Sequence, residues 1–147
     1  MAQFIKVALV DDHPLALYGL REALGALPEI EIVGAFTCAA DLIALMEKSP
    51  ADVIILDYVL GIGEKPTAEL IGQLRSQYLA PILVYSAVPG HLVKRTCLDQ
   101  GAHGFIEKGD AVEALLQAVE GCAGLSGRRR RPALEGRAGG RRPATKR

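Results

Sequence analysis

Tryptophan is absent from this 147-residue chain and aromatic residues make up only 5% of it, so aliphatic side chains must fill whatever core it builds. Half of the residues are hydrophobic, enough for one domain of this length. No apolar run approaches the roughly 18–20 residues that a bilayer span requires. No basic segment followed by an apolar stretch opens the chain at Met1, as a secretory leader would. A soluble, cytoplasmic protein without a membrane partner is therefore expected. The three cysteines, Cys38, Cys97 and Cys122, have no metal-ligand spacing. They read as thiols of a reducing compartment rather than as a disulfide framework or a zinc site.

Net charge is also lacking, but the zero total conceals two different polymers. Met1 to Gly124 carries 8 Lys and Arg against 16 Asp and Glu, whereas Leu125 to Arg147 carries 9 against the single acid Glu135. The division predicts a folded body over 1–124 and a basic tail over 125–147. The tail holds Arg128–Arg131 in a row and only Leu125 and Leu134 as large apolar residues. A segment this short and this polar has no core, so disorder is expected, and no amphipathic helix pair is present to make a helix-turn-helix. Three readings of it stand open: a solvated tail without a specific role, a linker remnant where an output domain would begin, and a basic arm. The arm would make weak, nonspecific and salt-sensitive contact with nucleic acid phosphates, or would touch the acidic body.

What is present in the body is an alternation of two patterns, repeated five times. Phe4–Val10 is an apolar, β-branched run that reads as a buried strand, and Pro14 then opens a helix with Leu17, Leu20, Leu24 and Leu27 on one face. Glu29–Phe36 reads as the second strand, and Thr37 as the N-cap of a helix that turns Leu42, Leu45 and Met46 inward. Val53–Leu56 is the third strand, followed by a Gly-rich loop and a helix from Pro66 with Leu70, Leu74 and Tyr78 inward. Pro81–Tyr85 is the fourth, with a helix from Pro89-Gly90 to Gln100 and Gly101 as its cap. Gly104–Glu107 is the fifth, and Asp110 with Glu113 suggests a capping box for a last helix with a Val112, Leu115, Leu116, Val119 stripe. Strands apolar on both faces, alternating with helices, predict an α/β fold with a parallel sheet covered on both sides.

In such sheets the functional crevice lies beyond the carboxyl ends of the strands. Strand one ends at Asp11 and Asp12, strand three at Asp57, strand four at Ser86, and strand five at Lys108. Taken singly, each reads as a turn residue, a cap or a solvated charge. Together they bring three carboxylates, a hydroxyl and an ammonium to one edge. Three crowded carboxylates demand a counter-charge. An all-oxygen set without Cys suits Mg²⁺, and the neighbouring His13 is a poor match for that ion and reads as a strand-end residue.

The segments Val10-Asp11-Asp12-His13-Pro14, Ile54-Ile55-Leu56-Asp57, Tyr85-Ser86-Ala87 and Gly101-Ala102-His103-Gly104-Phe105-Ile106-Glu107-Lys108 carry a resemblance. In this order and spacing, the chain from Phe4 to about Gly124 resembles bacterial two-component response-regulator receiver domains. Its Asp-Asp-His-Pro-Leu run looks like the branch that usually carries a C-terminal helix-turn-helix of the LuxR type. The resemblance implies a doubly wound, flavodoxin-like (βα)5 fold and a phosphorylation switch rather than a turnover enzyme. It implies that Asp57 accepts a phosphoryl group from a sensor histidine kinase, with Mg²⁺ held by Asp12, Asp57 and the Val59 carbonyl, and by Asp11 mainly through water. Lys108 and Ser86 would contact phosphoryl oxygens, and Ser86 and Phe105 would report the phosphorylated state. A homodimer on phosphorylation and an output in transcriptional control are further implications.

The chain departs from the family pattern at Leu60-Gly61, where Met-Pro is common, and at Gly109, where Pro often follows the lysine. Val59 and Val88 flank the acceptor and the hydroxyl, and neither can orient a water, so slow autodephosphorylation is expected. Three other classes fit these residues less well. An aspartyl-nucleophile hydrolase would need an acid where Val59 stands. A flavin module would need a phosphate loop where Asp11 and Asp12 stand. A pseudo-receiver that only binds partners would not need this complete set of chemical residues.

Overall fold

The computed structural model describes residues 4–61, 63–110 and 112–124. The basic tail over 125–147, expected to be disordered, lies outside them. The described chain runs β1 (Ile5–Val10), α1 (Pro14–Gly25), β2 (Ile30–Phe36), α2 (Ala39–Lys48), β3 (Val53–Asp57), α3 (Thr67–Gln77), β4 (Ile82–Ser86), α4 (Gly90–Asp99), β5 (Gly104–Glu107) and α5 (Val112–Ala123). All strand pairs are parallel and the order across the sheet is β2-β1-β3-β4-β5. This is the doubly wound, flavodoxin-like order that the resemblance implies.

The two faces of the sheet explain why its strands are apolar without interruption. Successive strand side chains point to opposite faces. Ile5, Val7 and Leu9 of β1 join Val53 and Ile55 of β3 under α1 and α5, where Leu17, Leu20, Leu24, Leu115 and Val119 cover them. Ala8 and Val10 join Ile54 and Leu56 under α2, α3 and α4, where Leu42, Met46, Leu70, Leu74 and Cys97 cover them. Because both faces are dry, β3 has no polar position until Asp57, and β1 has only the exposed Lys6 near its start before Asp11. Truncating a fully buried residue such as Leu56 or Leu74 to Ala would cost roughly 2–5 kcal/mol.

Four local expectations are corrected. Thr37 does not cap α2: Cys38 occupies the N-cap with extended backbone and no side-chain cap bond, and Glu64 Oε1 accepts the Ala39 N–H at 3.1 Å instead. Tyr78 is not part of α3, which ends at Gln77: it follows in extended backbone and packs, half-buried, against the same core as Leu70 and Leu74. The buried stripe of α5 runs through Leu115, Val119, Cys122 and Ala123, leaving Val112 exposed. Asp110 forms no reciprocal pair with Glu113: its N–H donates to the Glu107 carbonyl and its carboxylate accepts the Glu107 N–H, closing a tight turn after β5. The expected starts of α1 at Pro14 and of α4 at Gly90 agree with the structure, and Gly101 (φ +116°) supplies the positive φ that ends α4.

Candidate functional site

The sheet order places the reversal of connectivity at β1, whose neighbours are β2 on one side and β3 on the other. Helices leaving toward opposite faces open a crevice at this point, beyond the carboxyl ends of the strands. Asp11 leaves β1, Asp57 terminates β3, Ser86 terminates β4, and Lys108 follows β5. The Lys108 N–H donates to the Ser86 carbonyl at 2.7 Å, which carries the β4–β5 ladder up to the edge and fixes the lysine backbone there.

Asp11 is buried and both of its carboxylate oxygens are engaged. Oδ1 accepts the His13 N–H at 2.9 Å and Oδ2 accepts the Lys108 ammonium at 2.9 Å. Burial pushes its pKa upward, but the Lys108 and His13 bonds together outweigh this and hold it below the ordinary carboxylate range. Asp57 is only 4% exposed, and Lys108 Nζ stands 3.5 Å from its Oδ1. Burial, and then the charge of Asp11, push the Asp57 carboxyl up to about 6, against the pull of Lys108 and of the Val59 N–H, which donates to it. Burial alone would lower the Lys108 pKa, yet Asp11 and Asp57 raise it on balance, so its ammonium is secure.

Two atoms of this group are left over. Among the described residues, Asp12 Oδ1 and Asp57 Oδ2 are buried and accept no hydrogen bond. His13 Nδ1 lies 3.0 Å from that Asp12 oxygen without the alignment of a hydrogen bond, and 3.8 Å from Asp57 Oδ2. Buried oxygens without a donor are costly, and carboxylates in this state are ready ligands for a divalent cation. Asp11, Asp12, His13 and Asp57 each offer one ligand atom within 4.8 Å of the others.

Asp11, Asp12, Asp57 and Lys108 thus come together as their strand-end positions suggest. Ser86, at the end of β4, spends its buried hydroxyl on its own loop: it accepts the Val88 N–H at 2.8 Å and donates to the Val88 carbonyl at 3.3 Å. Phe105 is half-buried against the α2–α4 side of the core, where its ring would lie 3.3 Å from a methyl group placed on Gly90. Val59 follows the acceptor with its side chain exposed. Two participants have little signal in the sequence. His13 stands inside the acidic group, signalled only by its adjacency to Asp12. Buried Thr67, at the start of α3, donates its hydroxyl to the carbonyls of Asp57 and Tyr58 and pins the backbone behind the acceptor.

Known proteins resemble this chain in sequence and in fold. Residues 7–120 match the sequence profile described as the response regulator receiver domain. The chain is 29% identical over 113 residues to the DNA-binding transcriptional activator EvgA of Escherichia coli K12, covering 76% of this chain and 54% of that protein. It is 30% identical over 118 residues to the nitrate/nitrite response regulator protein NarL of the same organism, covering 80% and 54%. The chain spans about half the length of the curated relatives it matches. Among solved structures, the signal receiver domain of the response regulator NarL from Mycobacterium tuberculosis superposes with a TM-score of 0.75 at 29% identity, covering 83% of this chain and 98% of that one. The isolated receiver domain of RcsB from Salmonella enterica, in the presence of the phosphomimetic BeF3⁻, gives 0.72 at 26% identity, covering 80% and 87%.

Proposed function

Since this chain belongs to the response regulator receiver domain family, we propose that it is a Mg²⁺-dependent phosphoacceptor switch in which Asp57 takes a phosphoryl group from a sensor histidine kinase. The observation that carries the reading is the buried Asp57 carboxylate, with one oxygen unpaired, beside two more carboxylates and one ammonium. The two orphan oxygens fit a hard dication. Asp12 and Asp57 would hold it directly, the Val59 carbonyl would complete the protein ligands, and Asp11, both of whose oxygens are engaged, would act through water. When bound, Mg²⁺ supplies positive charge opposite the phosphoryl oxygens.

The residues divide the chemistry simply. An Asp57 oxygen attacks phosphorus, the bond from phosphorus to the donor imidazole breaks, and an acyl phosphate on Asp57 results. Thr67 holds the acceptor backbone still while this happens. Lys108, shared between Asp11 and Asp57, is placed to neutralise a phosphoryl oxygen. Ser86 would exchange its local bonds to Val88 for a phosphoryl oxygen, and Phe105, as Phe, would follow by packing alone. Such a protein accepts a group and changes partners, so it is a switch and not a turnover enzyme.

Homodimerisation through α1 and α5 or through the α4–β5 face, and transcriptional control as output, complete the proposal. EvgA, a DNA-binding transcriptional activator, supports that output. The expected test is intact-mass analysis after incubation with Mg²⁺ and acetyl phosphate. One phosphoryl group should be added to the wild type, and none to Asp57→Asn or in EDTA. No adduct under any condition would refute the switch and leave a pseudo-receiver that works by binding partners.

A further inference from the structure

His13 deepens the phosphoacceptor reading, and its role rests on the acidic group being a cation site. The imidazole belongs to a side chain that is 64% exposed, yet its Nδ1 sits 3.2 Å from Asp11 Oδ1, 3.0 Å from Asp12 Oδ1 and 3.8 Å from Asp57 Oδ2. One ring nitrogen cannot satisfy three carboxylates with a single N–H. Asp11 Oδ1 accepts the His13 N–H and is also hydrogen-bonded to the ring Nδ1, a bond that a metal on Nδ1 would replace, and Asp11 Oδ2 accepts Lys108. Among the described residues, the buried atoms left without a hydrogen-bonded partner are Asp12 Oδ1 and Asp57 Oδ2, and they lie 3.0 and 3.8 Å from Nδ1.

These three atoms form a mixed set of one nitrogen and two oxygens. Ligands at about 2.1 Å from a tetrahedral metal stand roughly 3.4 Å from one another. The separations of 3.0 and 3.8 Å from Nδ1 bracket that value. A three-ligand set with imidazole and carboxylate, and with further positions open, is the donor chemistry of Zn²⁺, Mn²⁺ and their neighbours. Mg²⁺ prefers oxygen throughout. We propose that His13 Nδ1 is a ligand when this site binds a first-row transition-metal dication, so that the site takes such ions, Mn²⁺ and Zn²⁺ among them, ahead of Mg²⁺. The same crevice then answers to two classes of cation: Mg²⁺ through oxygen alone, and transition metals through oxygen and His13.

The backbone arrangement makes His13 a clean residue to change. It occupies the N-cap of α1 with no side-chain cap bond, so removal of the imidazole leaves the helix start intact. The experiment uses the full chain and MnCl2, with free and bound Mn²⁺ quantified by EPR and ligand nitrogen detected by pulsed EPR. Wild type should bind Mn²⁺ with ¹⁴N modulation from one imidazole. His13→Ala should lose that modulation and weaken Mn²⁺ by at least about tenfold, since even outer-shell changes cost roughly 10–100-fold. Its Mg²⁺ affinity, measured by displacement of Mn²⁺, should stay within about twofold. Mn²⁺ bound without nitrogen modulation, or with equal affinity in His13→Ala, would overturn the inference and leave the phosphoacceptor reading standing. Absence of Mn²⁺ binding in the wild type would overturn the inference as well, and loss of phosphoryl addition in Mg²⁺ would overturn the phosphoacceptor reading. Phosphoryl addition in Mg²⁺, read separately by mass, tells the two failures apart.

Discussion

The α-carbon of Gly61 lies over Asp12 so closely that a methyl group there would come within 2.7 Å of Oδ2. Gly61 also has φ +100°, and Gly63 shares the condition at +90°, but a methyl group on Gly63 would meet nothing within 4 Å. The pair separates backbone strain from contact. Both alanine variants should lose about 1–2 kcal/mol of stability. Only Gly61→Ala should push Asp12 aside and weaken Mg²⁺, on the order of tenfold. Titration of both variants with Mg²⁺ checks this, and equal affinities would separate Gly61 from cation binding.

Stability in EDTA should fall as pH rises from about 4 to about 7. The Asp57 carboxyl is raised from 3.8 to about 6 in the folded chain. The folded state therefore holds the extra proton, and the stability it brings is complete below 3.8 and lost as pH rises through about 6. The loss is about 3 kcal/mol at most. Asp11 has the opposite sign: its contribution is present above 3.8 and disappears as the solution becomes more acid, so the two windows do not overlap. Urea unfolding of wild type and Asp57→Asn at pH 4.5 to 7.5 isolates the carboxyl from the histidines. The variant should gain on the wild type as pH rises, and Mg²⁺ should close the gap at neutral pH. A difference that stays constant with pH would contradict a raised Asp57.

Glu107 accepts the first N–H of α4, from Gly90, at 2.7 Å, and so acts as a cap supplied from a neighbouring strand. Glu107→Ala should cost about 1 kcal/mol, as caps commonly do, and Glu107→Gln less, because an amide oxygen still accepts. Thermal unfolding distinguishes them. An alanine variant as stable as the wild type would mean that solvent caps α4 equally well.

The exposed side chain of Val59 stands beside the acceptor as a hydrocarbon. A hydrocarbon neither donates nor accepts, so this side chain would orient no water toward an acyl phosphate on Asp57. Val59→Asn should shorten the phosphoryl half-life on the order of tenfold by restoring a positioning group. EDTA should lengthen it in both proteins. The decay of the phosphorylated mass checks this, and unchanged decay in Val59→Asn would locate the control elsewhere.

Much of this was legible in the sequence because buried parallel strands are apolar on both faces, so the first polar residue after each one marks an end. Asp11, Asp57 and Lys108 announced themselves in that way. The features that were not legible depend on residues far away in the chain. The cap of α2 comes from Glu64, 25 residues on, so nothing local to Thr37 could indicate it. The place of His13 is set by Asp57 as well as by its immediate neighbours, and a sequence gives no side-chain direction. The orientation of α5 depends on which part of its apolar stripe meets β3 and β5, and Val112 lost that competition. Ser86 was legible as a residue at the edge, but its hydroxyl had a nearer partner in the backbone of Val88.

The ion pair between Lys108 and Asp11 joins residues 97 positions apart, and this separation has a meaning for synthesis. A chain leaving the ribosome displays Asp11, Asp12 and Asp57 long before the lysine exists. Until β5 docks on the sheet edge, those carboxylates have no ammonium among them and the acceptor has no electrostatic partner. On the proposed function, the phosphoacceptor site is complete only when the fifth strand brings Lys108 to it, late in translation. A nascent chain, or one cut ahead of Lys108, would hold the acceptor without the ammonium that stands beside it.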